Sequence, residues 1–395
     1  MPPPGPIDIP LAALQSLAEL HAAFSPVLEI DAGFGVGIKQ VAGQFTEELA
    51  LIVYVRDKLP PGRIPIEQLI PQYFAGFLTD VVAYQPTLLA DNTYHDPLLG
   101  GIGIWRPASA TQDAGAGTLG GIVRERFNGT PQALTCGHVA GEVGGPIFQP
   151  RDGALGSSVV GHVKYSVSEP PHPPARDWAS IELNGTRTTQ FSVKEIPVLR
   201  GVAQPRLWEP VKKRGYATGL THGVTIAVLP EFPSLATRQV ECAAFPFEME
   251  FARHGDSGSL VLNANDEAIG MLYRLNREVG YGGQPQVPSA MAFVIEAALN
   301  DLQVDLAITP GIRGIYPNTL AGTIETFGKV TIDGWGFDQH SWVAFGGQPA
   351  IISTYLSPNR LETIAPLGFL GTVDVVVTNK WGDTSPTGLE SKFTY

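Results

Sequence analysis

Along most of this chain apolar residues alternate with polar ones, and a single segment follows a helical period instead. Within 9–24, Leu11, Leu14, Leu17, Leu20 and Ala23 recur at three- and four-residue spacing, which predicts one short amphipathic helix. The pattern then turns to strands at 34–38, 49–55 and 80–84, separated by polar turn residues, so a small α/β preface is expected to end near residue 100. From there short β-type runs, such as 120–123, 161–165 and 224–228, alternate with clusters of Gly, Pro, Asn and Asp. Many short strands with frequent turns predict barrels or a sandwich. Thr309-Pro310-Gly311 is a natural boundary, and the chain from Ile312 to Tyr395 keeps the β character with few charges. The expected organisation is a mainly β chain divided into 1–100, 101–308 and 309–395. Pro170-Pro171-His172-Pro173-Pro174 reads as a stiff exposed loop.

Composition narrows the class. The 45 glycines and 34 prolines make up about a fifth of the 395 residues, against roughly 12% in average usage, which indicates many turns. A hydrophobic content of 44% is enough for each domain to bury a core. No run approaches the roughly 20 apolar residues needed to cross a bilayer, and Met1-Pro2-Pro3-Pro4-Gly5-Pro6 lacks the cationic start and apolar stretch of a secretory signal. A soluble, cytoplasmic protein is expected. With 26 Lys and Arg against 38 Asp and Glu, the net charge of −12 repels phosphate backbones and anionic lipid, so nucleic acid and membrane surfaces are poor partners. Cys136 and Cys242 read as two buried thiols, with one bridge between them as the alternative. The chain has no His-Glu-x-x-His and no Cys-x-x-Cys, so neither a metal nor a cofactor is expected.

Three segments carry chemistry together. Leu134-Thr135-Cys136-Gly137-His138-Val139 offers a histidine at a strand end, and Arg176-Asp177-Trp178-Ala179-Ser180-Ile181 an aspartate entering an alternating strand. His254-Gly255-Asp256-Ser257-Gly258-Ser259 holds a serine on a glycine-flanked turn. A serine hydroxyl is a weak nucleophile, so it needs exposure, a base within reach and backbone N–H groups aimed at the oxyanion that forms. Glycines allow a tight turn in which the amides of Gly255 and Ser257 converge. His254 could line the cleft rim. Cys136, two residues before the base, reads as a packed structural thiol rather than a second nucleophile.

The order histidine, aspartate, serine resembles that of the chymotrypsin-like, or trypsin-like, serine peptidases. The motifs Thr135-Cys136-Gly137-His138, Asp177-Trp178-Ala179-Ser180-Ile181 and Gly255-Asp256-Ser257-Gly258 are similar to that family's three signatures. Lys213-Arg214-Gly215-Tyr216-Ala217-Thr218-Gly219 resembles the strand that opens its second barrel. The resemblance implies two β-barrels, a protein or peptide substrate, Ser257 as nucleophile, His138 as base, Asp177 as its orienting group, and an oxyanion hole from the amides of Gly255 and Ser257. It departs from the secreted digestive members in having Val139 after the histidine and no Ile-Val-Gly-Gly start. Asp256 therefore needs a partner other than a released N-terminus, and an enzyme without that zymogen switch is implied. The preface, with Gly35-Val36-Gly37-Ile38-Lys39-Gln40-Val41-Ala42-Gly43, resembles that of bacterial relatives of the plant NARROW LEAF type.

Phe251, six residues before the serine, is not an acid, so the resemblance does not imply cleavage after Lys or Arg. The run Gly270-Met271-Leu272-Tyr273-Arg274 resembles the strand that pairs with substrate, which puts Tyr273 and Arg274 near the pocket wall, and an inward Arg274 would favour acidic or small side chains. At the C-terminus, Ile315-Tyr316-Pro317, Gly334-Trp335-Gly336-Phe337, Val343-Ala344-Phe345-Gly346-Gly347-Gln348-Pro349-Ala350 and Gly371-Thr372-Val373-Asp374-Val375 resemble the IPT/TIG immunoglobulin-like domain. That domain implies a β-sandwich serving as a spacer, a dimer contact, or a binder of protein or glycan. Three readings of function stand: a serine endopeptidase, a catalytically silent pseudo-peptidase scaffold, and a protease that processes itself near Thr309 or the proline loop.

Overall fold

The computed structural model describes residues 10–28, 33–41, 44–55, 62, 64–83, 91–109, 112–150, 156–168, 176–229, 238–244, 250–276, 289–319, 328–367 and 371–395. The proline loop lies outside them. Among the described residues no helix is long and apolar enough to cross a membrane. The chain forms two compact units, Met1–Leu88 with Ala244–Glu250, and Leu89–Ala243 with Phe251–Tyr395.

In the first unit the helix Leu11–Phe24 packs on a four-stranded sheet ordered Gly33–Val41, Gln44–Val55, Phe77–Ala83, Tyr73–Phe74. Gln44–Val55 and Phe77–Ala83 run parallel, while the two hairpins are antiparallel. Its core is built on Ala13, Leu20, Val36, Leu51 and Val53. The helix sits where its period predicts, but on a rotated face. Ala13, Ser16 and Leu20 are buried, with Leu17 and Phe24 beside them, whereas Leu11 and Leu14 are exposed. The stripe that runs 13, 16–17, 20 and 24 meets the sheet, and the leucines of the first turn fall outside it.

The second unit opens with an eight-stranded sheet in the order Val304–Leu306, Gly121–Glu125, Pro131–Thr135, Asp177–Leu183, Ser158–Ser168, Pro146–Gln149, Gly103–Arg106, Gly115–Thr118. A second sheet closes on itself. Pro210–Gly215, Gly219–Leu229, Gln239–Ala244, Ser289–Val294, Glu267–Asn276 and Leu260–Asn263 form a six-stranded barrel, with Gly201–Val202 added beside Glu267–Asn276. The helix Ile295–Asp301 leaves this barrel, and Val304–Leu306 then pairs back onto the first sheet. Ile122, Leu134, Ile181, Leu260 and Met271 join both sheets in one continuous apolar core, and strands such as Pro131–Thr135 and Leu260–Asn263 are buried over nearly their whole length.

The last strands make a sandwich of two four-stranded sheets. One is ordered Gly311–Tyr316, Lys329–Trp335, Arg360–Ile364, Ile352–Ser357, the other Gln348–Pro349, Trp342–Phe345, Thr372–Thr378, Lys392–Thr394. Val330, Ile332, Phe345, Leu361, Val375, Val377 and Phe393 fill the space between them. The sandwich is fastened to the eight-stranded sheet and its turns by polar and aromatic contacts. Asp305 accepts from Arg126 at 2.9 Å and from Lys380 at 2.8 Å, and Arg124 pairs with Asp383 at 2.9 Å. Trp381 covers Gly129, where an added Cβ would stand 2.6 Å from the indole.

Asp91 ties the start of this unit to the closed barrel. It is buried, and its carboxylate takes the side chains of Thr93 and His95, Lys194 Nζ at 2.7 Å and Arg214 Nη2 at 3.3 Å. Burial raises its pKa, but the hydrogen bonds from His95, Lys194 and Thr93 outweigh that and hold the carboxyl well below the usual range. A depressed folded-state pKa means stabilisation that is complete above the ordinary carboxylate range, about pH 4, and is lost as the pH falls below it. Asp91→Asn should therefore lower Tm clearly at pH 7, and thermal melts should show the gap to the natural protein narrowing at about pH 3. An equal gap at both values would contradict this assignment.

Candidate active site

The strand Pro131–Thr135 ends at Cys136, whose extended backbone leads into the single helical turn Gly137–Ala140, and Gly141 ends that turn at φ +78°. Position 137 must be glycine, because a Cβ there would stand 2.1 Å from the Val167 carbonyl oxygen. The turn presents His138 to solvent while Asp177 grips it from below. Asp177 Oδ1 accepts the His138 backbone N–H at 2.8 Å, and Oδ2 accepts from Nδ1 at 2.6 Å. Asp177 is 2% exposed and starts the strand Asp177–Leu183. Its neighbour Trp178 anchors that strand, donating Nε1–H to Asp301 at 2.8 Å and meeting Phe293 edge-on.

The serine turn is held against the histidine turn by shared groups. Thr118 donates its N–H to the Ser257 carbonyl at 2.9 Å and its hydroxyl to the Gly255 carbonyl at 2.9 Å, and accepts the Thr135 hydroxyl at 2.8 Å. The Leu272 carbonyl takes both the Gly258 N–H at 2.7 Å and the Cys136 thiol at 3.2 Å. Gly255 at φ +104° and Gly258 at φ +98° adopt left-handed backbone that favours glycine. Among the described residues nothing accepts from the amides of Gly255 and Ser257, so both N–H groups are available to a bound oxygen. The Ser257 hydroxyl is half-buried and donates to the Tyr273 carbonyl at 3.3 Å.

Asp256 finds its partner inside the closed barrel. Lys213 Nζ lies 3.0 Å from Asp256 Oδ2, and both side chains are fully buried. The carboxylate also accepts from the amides of Arg253 at 2.9 Å, Ala217 at 2.9 Å and Thr218 at 3.1 Å, and from the Thr218 hydroxyl at 2.7 Å. A Cβ on Gly215 would stand 2.1 Å from Oδ1, so the strand needs glycine where the turn leans on it. An internal lysine thus fills the role that the sequence left open. Neither Lys213 nor Thr118 stood out beforehand as part of the site. The signal for the first was a lysine within a strand that otherwise faces a barrel interior.

The remaining sequence candidates separate by burial. His254 is exposed on the turn, and Arg274 is half-buried opposite Met291 at a bulge. Phe251 is buried beneath Gly223, with Lys213 Nζ 5.9 Å from its ring centre. Tyr273 is buried as well, stacked on Phe293 at 4.0 Å with its hydroxyl on Gln239 at 2.9 Å. These two rings pack into the barrel interior, where apolar area is removed from water. Of residues 247–251, only Glu250 and Phe251 fall within the described residues.

Cys136 and Cys242 are buried and unbridged. Burial pushes the Cys242 thiol up to about 12, and burial with the Asp177 charge holds the Cys136 thiol well above its ordinary value. Donor atoms of Cys136, His138 and Asp177 lie within 4.8 Å of one another. Each is already engaged, the thiol as a protonated donor to Leu272 and the imidazole with the carboxylate, so the cluster is built around a hydrogen-bond chain.

Residues 310–395 match the IPT/TIG domain family. A search of curated proteins finds no match. Among solved structures the chain is similar to Thermobifida fusca protease A (18% identity, 53% of this chain and 98% of that one, TM-score 0.38) and to Nocardiopsis protease (19%, 53% and 97%, 0.38). It is also similar to Cellulomonas bogoriensis chymotrypsin (18%, 53% and 98%, 0.37). The middle of the chain thus sets a closed six-stranded barrel beside an eight-stranded sheet, and its C-terminal end is an IPT/TIG β-sandwich.

Proposed function

We propose that the protein is a serine endopeptidase in which Ser257, His138 and Asp177 act as nucleophile, base and orienting carboxylate. The observation that carries this reading is His138 held by a buried Asp177 beside a serine turn whose Gly255 and Ser257 amides are unclaimed. In the reaction Ser257 Oγ attacks the peptide carbonyl while its proton passes to His138 Nε2, and the two amides hold the oxyanion. The imidazolium, stabilised by Asp177, gives that proton to the leaving amine, and water then releases the acyl group by the same route. The substrate is a protein or peptide, and the sandwich supplies a surface for a protein or glycan partner or for a second copy. A second reading, a scaffold with an unproductive triad, draws on the Ser257 hydroxyl donating to the Tyr273 carbonyl. Catalytic hydrogen bonds often form only when substrate is bound, and rotation about one side-chain bond redirects this hydroxyl.

One experiment separates the two. A fluorophosphonate probe should label the natural protein at Ser257, located by mass spectrometry, and should not label folded Ser257→Ala. Absence of labelling in the folded natural protein would favour the scaffold.

A further inference from the structure

Arg106 ends the strand Gly103–Arg106 at the floor of a cleft of about 750 Å³ that opens beside His138. Its Nε donates to the Val139 carbonyl at 3.3 Å, while Nη1 is shut off from water with no acceptor. Among the described residues no carboxylate pairs with this half-buried guanidinium, although Asp113 and Glu142 stand exposed on the rim of the same cleft. Two glycines keep room for it. A Cβ on Gly141 would stand 2.4 Å from Arg106 Cδ, and one on Gly115 would stand 2.8 Å from Nη2. A half-buried guanidinium without a carboxylate partner is costly, and the part of it that lines the cleft is placed to meet an acidic group brought by a ligand. The bidentate fork of an arginine matches a carboxylate.

The cleft is lined from the first sheet and its turns, and neither the serine turn nor the strand Glu267–Asn276 contributes to it. His138 hands its proton to the leaving amine, so a cleft that adjoins the imidazole and lies away from the serine turn receives the leaving half of the substrate. Resting on the peptidase reading, we propose that Arg106 is a specificity-determining residue that takes an acidic side chain from the first or second residue after the scissile bond. The rim carboxylates lie in water, where screening leaves them little hold on a bound side chain, whereas the floor guanidinium is partly desolvated.

Binding can be read without turnover. Peptides representing the leaving half, with Glu, Gln or Lys at the first or second position, would be titrated against the full chain carrying Ser257→Ala. The Glu peptide should bind on the order of 10-fold more tightly than the Gln peptide, as expected for a hydrogen bond between charged groups. Adding Arg106→Leu should erase that preference, and Arg106→Lys should restore part of it. Equal binding of Glu and Gln, tighter binding of Lys, or a Glu preference that survives Arg106→Leu would each overturn the assignment. Glu-selective binding without labelling of Ser257 would instead keep the acidic site and discard the peptidase reading.

Discussion

Asp177→Asn should slow fluorophosphonate labelling of Ser257 by about 10⁴-fold at neutral pH while the protein stays folded. Both oxygens of Asp177 accept, Oδ1 from the His138 backbone N–H and Oδ2 from the imidazole Nδ1–H. An amide offers only one acceptor. The backbone N–H cannot reverse its role, so it claims the amide oxygen, and the –NH2 group then faces Nδ1. The imidazole can accept there only by moving its proton to Nε2, which removes the lone pair that must receive the serine proton. The fold has little reason to change, because the amide is isosteric and Trp178 still anchors the strand on Asp301. Labelling kinetics together with a thermal melt would check this. A variant labelled within about 10-fold of the natural rate would show that Asp177 does not set the tautomer.

Much of this arrangement was legible in the sequence because it is local. The glycines around Ser257 and the turn residues of the sandwich each encode their geometry within a few positions, whereas the alternation expected after Asp177 gives way to five successive buried residues. The helix Leu11–Phe24 shows where local reading stops. Its period was plain, but which leucines are buried depends on how the sheet sits beneath it, and Leu11 and Leu14 stayed outside. The links between distant segments were likewise hidden. Thr118 joins the serine turn to the histidine strand through its backbone and hydroxyl, and a lone threonine in Gly117-Thr118-Leu119 carries no sign of it. How Tyr273 packs was not local either, since its ring is buried against Phe293 of a neighbouring strand. Arg106 offered no motif at all, since its setting depends on Gly115 and Gly141 brought together by the fold.

Lys213→Met should destabilise the second unit by about 3 to 5 kcal/mol and abolish labelling of Ser257, because it leaves Asp256 as a buried charge without a counter-ion. The three backbone amides and the Thr218 hydroxyl that surround Asp256 offset part of that cost. They do not supply a compensating charge, and the side chain has no exposure through which water could. Protonating Asp256 relieves the charge but surrenders an acceptor that its donors need, so the turn loosens by either route. Asp256 lies between Gly255 and Ser257, hence the loss reaches the two amides assigned to the oxyanion. For a unit of this size the expected fall in Tm is roughly 5 to 8 °C. Pairing the change with Asp256→Asn removes both charges and should recover at least about 2 kcal/mol relative to the sum of the single changes, measured as a double-mutant cycle by denaturant unfolding. Additive losses would mean that the lysine and the aspartate stabilise the barrel independently, and that the oxyanion turn rests on its backbone hydrogen bonds alone.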